Sequence, residues 1–410
     1  MSVARRKVCD GALIFEGECM SRLGLTDAEA VRMALEEYRQ KGRDAFLAEH
    51  GFGRALQYYV QVDGHLYDAK AIVNIAYRYE HREPPSNVIS GDEGHSNRFL
   101  RDLGFTVIDG RPTTVDGERS WRLAVWKHFQ ASGNVEELSP HTVRDFGAYG
   151  GAQGIWVDSK RTSVLRQGGV TVGVLHTGEH YPDDLGEHSV LYHYPSTGRA
   201  PGRDAAEIAA TKAAAELQLP VFVISKPSPS SPVRVVRLAW VEGWEDESQQ
   251  FLITYGPTPP PRVLRHDDSE EEPFPAAGNR RRRRQRNVQE RPDQARFKLR
   301  VFQRYGPRCP LSELAVPQMI EAAHMRPVAD DGSDDPRNGL PLNAALHRAF
   351  DAHLFAIEPD TLNVVTLPDG PTAAEMGILV PHLRGLSRKP HPEAIKWRYE
   401  LWRERAGLSA

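Results

Sequence analysis

The chain of 410 residues is 40% hydrophobic and carries a formal net charge of -3. That composition supplies globular cores, suggests about two to four domains, and excludes a uniformly basic DNA-coating protein. No apolar run approaches a membrane span, and three cysteines, Cys9, Cys19 and Cys309, make no disulfide framework.

The start, Met1 to Lys7, is basic, but its apolar continuation is broken by Asp10 and Glu16, so it is not read as a secretory signal. The cysteine usage favours a reducing, cytoplasmic setting. Thr26 to Lys41 has helical periodicity with Ala30, Met33, Ala34 and Tyr38 inward and Ser21 or Thr26 as the cap. Ala55 to Val62 is strand-like, and Asp63-Gly64 is a hairpin signal. A helix is expected from Tyr67 to Tyr77, another over Ser96 to Leu103 with Gly104 as its C-cap, then a strand from Phe105. These make a small α+β domain of residues 1–112. Through Tyr67-Asp-Ala-Lys-Ala-Ile72 and Phe99-Leu-Arg-Asp-Leu-Gly-Phe105 it resembles the ScoMcrA-like N-terminal head domain. It shows no catalytic constellation. Residues 119–131 read as a connecting helix, within a connector of 113–140.

Residues 141–256 alternate short strands with glycine turns. Gly154 to Val157, Val170 to Leu175, Ser189 to Tyr194, Val221 to Ile224 and Val233 to Trp240 are strand-like, with an alanine-rich helix from Ala205 to Leu217. Many short strands with one helix suggest a curved, barrel-like sheet. The Gly154-Ile-Trp156 segment, the Tyr181-Pro-Asp-Asp184 turn and the Tyr192-His-Tyr194 strand resemble the SRA (PUA-like) domain, which binds modified cytosine. The resemblance implies a flipped base held between aromatic walls. Tyr181 would be one wall, Tyr192 or Tyr194 the other, Asp184 the acceptor for the cytosine amino group, and Trp156 a support.

Gly256-Pro-Thr-Pro-Pro-Pro261 opens a stiff, helix-hostile stretch. The acidic run from Asp267 to Glu272 follows, and then a basic one: from Arg280 to Arg300 there are ten Lys or Arg and two acids. Residues 257–292 are therefore read as a flexible charged linker. Its Arg280, Arg281, Arg282, Arg283 and Arg284 either touch phosphates without reading sequence or form a solvated charge block.

Residues 293–410 carry the densest chemistry. Arg296 to Tyr305 reads as a first helix and residues 391–405, with Trp397, Leu401 and Trp402, as a closing one. Ile320 to Met325 fits a strand holding His324, and Asp330 to Pro336 is dense in turn formers. Asn338 follows, where its amide can tie the loop together. Leu342 to Phe355 reads as one helix with Leu342, Leu346, Phe350 and Leu354 on a stripe; His347 and Asp351, four apart, share a face. Phosphodiester hydrolysis needs a base, a cation and a rigid frame. The order Glu321-Ala-Ala-His324, Asn338-Gly-Leu340, His347-Arg-Ala-Phe-Asp351 resembles the HNH (ββα-metal) nucleases. The resemblance implies His324 as general base, Asn338 as loop-ordering residue, and His347 with Asp351 on a divalent ion, Mg2+ or Mn2+. Ala323 stands where many relatives place a ligand just before the base. No Cys-x-x-Cys occurs, so no structural zinc is expected.

Taken in order, head, reader, linker and nuclease resemble McrA-like, modification-dependent (type IV) restriction endonucleases. The resemblance implies cleavage of double-stranded DNA bearing 5-methylcytosine or a related base. The gap between head and reader leaves no room for a phosphorothioate-reading domain. One HNH centre cuts one strand, so a double-strand break needs two centres, as in a homodimer, or two visits. Two other readings stand beside it: a non-catalytic binder of modified DNA, and an HNH nuclease that ignores modification.

Overall fold

The structure is a computed structural model that describes residues 8–9, 12–13, 24–150, 154–176, 186–196, 202–228, 230–260, 273–275 and 292–408. The chain divides into two compact units. The first comprises residues 1–150, 158–170 and 231–236, and the second 151–157, 171–230 and 237–410. No helix among the described residues is long and apolar enough to cross a membrane.

In the first unit, helices α1 (Ala28–Lys41) and α2 (Arg43–His50) precede strands β1 (Tyr58–Val62) and β2 (His65–Asp68). Asp27, not Thr26, caps α1: its carboxylate accepts from Glu29 N at 2.8 Å, and Ser21 lies outside the described residues. Thr26 is instead held by Glu80, which accepts from its amide and its hydroxyl. Met33, expected inward, is 48% exposed; Val31 and Leu35 take the buried face with Ala30, Ala34 and Tyr38. The Asp63-Gly64 turn has positive φ at both residues, the type I′ geometry that matches strand twist, and pairs Val62 with His65.

Helix α3 (Ala69–His81), α4 (Ser96–Asp102) and β3 (Thr106–Asp109) complete a three-stranded sheet of order β2-β1-β3. Helix α5 (Val115–Ser132) exceeds the expected 119–131 and stacks Trp121 on Tyr59, ring centroids 5.1 Å apart. Helix α6 (Pro140–Asp145) follows. Two contacts show why distant segments fold here. The Arg161 side chain pairs with the buried Glu118 of α5, and the backbones of Leu138 and Arg234 form an antiparallel bridge.

The second unit holds a mixed six-stranded sheet. Its strands are β4 (Ile155–Val157), β5 (Thr171–His176), β6 (Ser189–His193), β7 (Pro220–Ser225), β8 (Val235–Glu245) and β9 (Gln250–Tyr255), in the order β4-β5-β7-β8-β9-β6. β4 and β6 end the sheet without pairing each other, so it is a curled half-barrel rather than a closed barrel. β9 is not among the strands singled out from the sequence, though it lies within the stretch expected to alternate short strands and turns. β5 and β7 run parallel, and the helix α7 (Arg203–Glu216) lies between them in sequence.

Helix α8 (Pro292–Tyr305) opens the C-terminal part. The hairpin β10 (Ile320–His324) and β11 (Gly339–Asn343), helix α9 (Ala344–Asp351), the small hairpin β12 (Phe355–Ile357) and β13 (Val364–Thr366), and helix α10 (Pro392–Arg405) follow. The single helix expected from Leu342 to Phe355 is overturned. Leu342 lies in β11, paired with Glu321. Asn343 caps α9 by accepting from Leu346 N at 2.8 Å. The helix ends with His353 at φ 58, its amide on Phe350 O and that of Leu354 on Ala349 O. Leu354 and Phe355 lie beyond it. Cys309 is fully buried in this core beside Leu311 and Ile320.

Candidate active site

The β10–β11 hairpin sets His324 directly opposite Gly339. Its long loop is closed by Asn338, which is 1% exposed. The Asn338 Oδ1 accepts from Arg326 N at 3.0 Å, while Nδ2 donates to Arg326 O at 2.9 Å and to Ser333 O at 2.8 Å. Three backbone groups of a turn-rich segment are thus satisfied by one amide, which fixes where the strand bearing His324 ends.

Gly339 is glycine for lack of space. A Cβ there would sit 2.5 Å from Val301 Cγ2 and 2.7 Å from Phe297 Cζ. The same Phe297 ring lies flat on the His324 imidazole, centroids 3.6 Å apart and planes 8° from parallel. His324 Nε2 faces Asp334 Oδ1 at 3.3 Å. The imidazole is therefore held on one face by a ring and at one edge by a carboxylate.

His347, on α9, has carboxylates at both nitrogens. Glu321 Oε2 is 2.7 Å from Nδ1, and Asp351 Oδ2 is 3.4 Å from Nε2. The buried Arg398 of α10 reaches Asp351 Oδ1 at 3.5 Å. His347 and Asp351 offer a nitrogen and an oxygen donor with no thiolate, the chemistry that suits a hard or borderline divalent ion. A ligating histidine usually has its second ring N–H held by a carboxylate, and Glu321 stands in that position. Among the described residues, the one trio of potential ligands with all donor atoms within 4.8 Å is elsewhere: Glu37, Glu49 and His50. Lys41 already donates to Glu37 and Glu49 there, so that cluster is charge-compensated by the chain itself.

Next to the loop, burial works to raise the Asp335 carboxyl, but hydrogen bonds from the Arg337 side chain and amide outweigh it and hold it below the usual range. Phe274 stacks on His391, centroids 3.9 Å apart, with the Arg337 guanidinium over its ring.

The sequence named His324, Asn338, His347 and Asp351 but assigned nothing to Glu321, Asp334 or Phe297. Glu321 becomes visible once residues 339–343 are recognised as a strand, because it then lies opposite Leu342 and beneath the helix carrying His347. Asp334 was marked only as a turn former.

The candidate base pocket is described in part. Tyr181, Asp184 and Arg280, Arg281, Arg282, Arg283 and Arg284 lie outside the described residues. Tyr192 is buried, and its hydroxyl crosses from β6 to donate to Leu175 O on β5 at 3.2 Å. Tyr194 lies just past β6, half-buried, its hydroxyl on Asp246 Oδ1 at 2.8 Å and its ring against Phe251. Trp156 is on β4 opposite Gly173, half-buried.

Comparison with known proteins agrees with this geometry at both ends of the chain. Residues 309–358, which contain the whole His324 to Asp351 constellation, match the HNH endonuclease family. The C-terminal part therefore carries an HNH endonuclease domain. Residues 24–109 match the ScoMcrA-like N-terminal head domain, so the enzyme carries a head of that type. Among solved structures, one described as a modification dependent TagI restriction endonuclease is similar at 20% identity and TM-score 0.29, over 66% of this chain and 93% of its own. Another, the type IV phosphorothioation-dependent restriction endonuclease ScoMcrA, is similar at 14% identity and TM-score 0.20, over 78% and 94%. No curated protein gives a significant sequence match.

Proposed function

We propose that this endonuclease cuts double-stranded DNA that carries 5-methylcytosine or a related modified cytosine, using one metal ion at an HNH centre. The observation that carries the cutting half is the pair of differently dressed imidazoles, His324 and His347, around one ββα hairpin.

His324 is the general base. With Nε2–H donated to Asp334, Nδ1 is left to take the proton of the attacking water. Phe297 and the Asn338-tied loop keep the ring from rotating away. His347 Nε2 and Asp351 would hold the ion, with Glu321 fixing the Nδ1–H tautomer. When bound there, a divalent cation such as Mg2+ or Mn2+ supplies charge stabilisation at the phosphate and the leaving oxygen.

For the reading half, support comes from Tyr192. Its hydroxyl reaches the end of β5, the strand that leads into the segment with Tyr181 and Asp184. Both Tyr192 and Tyr194 have their hydroxyls held, by Leu175 O and Asp246 Oδ1, so either can be the second wall. Trp156, on the other edge strand, is in this reading the pocket's support. In this reading Arg280 to Arg284 add sequence-independent phosphate affinity. The domain limits proposed are head to 112, connector to 140, reader to 256, linker to 292 and nuclease to 410, acting in the cytoplasm. Two copies of the chain would supply the two centres a double-strand break requires.

The test is cleavage of plasmids with and without cytosine methylation, in Mg2+ or Mn2+. Cutting of the methylated plasmid alone is expected. Equal cutting of both would remove the reader and leave a nuclease indifferent to modification. Binding of methylated DNA with no cutting under any divalent ion would leave a binding protein. Asp184→Ala is expected to erase the preference, and unchanged discrimination would move the pocket elsewhere.

A further inference from the structure

Helix α8 has two working faces. One faces the half-barrel sheet. Arg296, Leu299 and Gln303 recur at helical spacing along it. Arg296 forks onto Glu242: Nη2 donates to Oε2 at 2.8 Å, and Nε donates to Oε1. Leu299 packs with Leu191 of β6 and Leu252 of β9, and Gln303 Nε2 donates to Trp244 O at 2.9 Å. The other face belongs to the nuclease. Phe297 and Val301, four apart, fill the space over Gly339, and Phe297 lies on the His324 ring.

Glu242 is unusual for a sheet residue. It sits where the β8–β9 register shifts between Val241 and Gly243, and its side chain is 0% exposed. A bulge re-aims a side chain. A carboxylate kept out of water needs partners, and its partners are Arg296 and the Thr254 hydroxyl, which donates at 2.7 Å. The first helix of the nuclease is thereby fixed to the sheet at a charged, directional joint. The first helix after the segment read as a flexible linker is thus seated on the sheet.

We propose that α8 is a positioning device: clamped to the sheet through Arg296 and Glu242, it presents Phe297 as the surface that orients the His324 imidazole. Cleavage rate then depends on side chains of the sheet that take no part in the reaction. Leu191, in contact with α8, is the neighbour of Tyr192 in the strand proposed to wall the base pocket, so the sheet that reads also holds the base. The inference rests on His324 being the general base, as proposed above.

The experiment uses the full chain and steady-state cleavage of plasmid DNA. Phe297→Leu keeps apolar volume and removes the flat ring. It is expected to lower kcat roughly ten- to hundredfold with KM unchanged, and Phe297→Tyr to restore most of it. Glu242→Gln keeps the shape of the joint and removes its charge, and is expected to lower kcat by about three- to tenfold, again without a change in KM. A merely structural role would reduce the folded fraction and leave the kcat of the folded enzyme alone. If Phe297→Leu impairs folding, Glu242→Gln decides alone. A kcat within about twofold of the parent in these variants, with His324→Ala inactive, overturns the positioning proposal. If His324→Ala still cuts, it is the assignment of the base that fails.

Discussion

Asn338→Ala should open the loop that precedes the second strand of the hairpin. The amide makes three hydrogen bonds, to Arg326 N, Arg326 O and Ser333 O, from a position 1% exposed. Each is worth roughly 1 kcal/mol net, and a donor or acceptor left unpaired away from water costs more. The substitution is therefore expected to cost about 3–4 kcal/mol in the nuclease domain, a large part of the 5–15 kcal/mol typical of a folded domain. Asn338→Asp keeps the acceptor for Arg326 N but turns a buried carboxylate oxygen on the Arg326 and Ser333 carbonyls, so it should cost at least as much as the alanine. Urea unfolding followed by the Trp397 and Trp402 fluorescence of α10 reads the domain transition, and hydrogen exchange at Met325, Arg326 and Asn338 reads the loop itself. Cleavage should fall with loop order even under conditions where the domain remains folded. A destabilisation below about 1 kcal/mol, with exchange at Arg326 unchanged, would refute the claim that this side chain closes the loop.

Four further outcomes are expected. Gly339→Ala forces a methyl group onto Val301 and Phe297, which should cost about 1–3 kcal/mol and lower cleavage; an unchanged melting temperature would mean the helix yields freely. Burial, with the charges of His65 and Arg43, holds the His128 imidazole down to about 3 from its ordinary 6.5, while its Nδ1 accepts from Leu66 N. The unfolded chain therefore takes the proton first, so stability of the first unit is full above pH 6.5. It is lost at about 1.4 kcal/mol per pH unit as pH falls toward 3. Acid titration of His128→Asn, which keeps an acceptor, should flatten that window, and an identical acid profile would exclude His128 as the cause. A chelator should abolish cleavage, with Mg2+ or Mn2+ restoring it. Glu321→Gln should weaken Mn2+ binding by calorimetry roughly ten- to hundredfold, and unaltered affinity would remove Glu321 from the site.

What could be read from the sequence was local chemistry. Asp63-Gly64 needs no tertiary context to turn, because both residues tolerate positive φ. The Asp330 to Pro336 loop is equally self-declaring. The errors arose where one feature concealed another. Leu342 continues the stripe of Leu346, Phe350 and Leu354, so the periodicity draws Leu342 and Asn343 into the following helix. In the fold, Leu340 and Leu342 are both fully buried, and Asn343 draws the boundary by capping α9. Met33 failed for a simpler reason: an apolar stripe was centred one residue off, and Val31 and Leu35 fill the core instead. Phe297 over His324 joins residues 27 apart through a glycine's missing side chain. No periodicity reports a contact of that kind.

The two histidines of the proposed centre need opposite properties, and their surroundings supply the difference. A base must offer a lone pair to water and keep its orientation, so His324 has one carboxylate on one nitrogen and an aromatic face beneath it. A ligand must face a cation, so His347 stands between Glu321 and Asp351, where two negative charges flank one ring. Arg398 tempers this by reaching the Asp351 oxygen that is turned away from His347, leaving the other oxygen toward the imidazole. Exchanging the roles would require moving a carboxylate from one ring to the other, and the antiparallel register forbids it. Glu321 is paired with Leu342 beside the start of α9, whereas His324 is paired with Gly339 at the far end of the same ladder. Strand pairing thus decides which imidazole gathers carboxylates, and on the proposed reading it decides which one takes the proton.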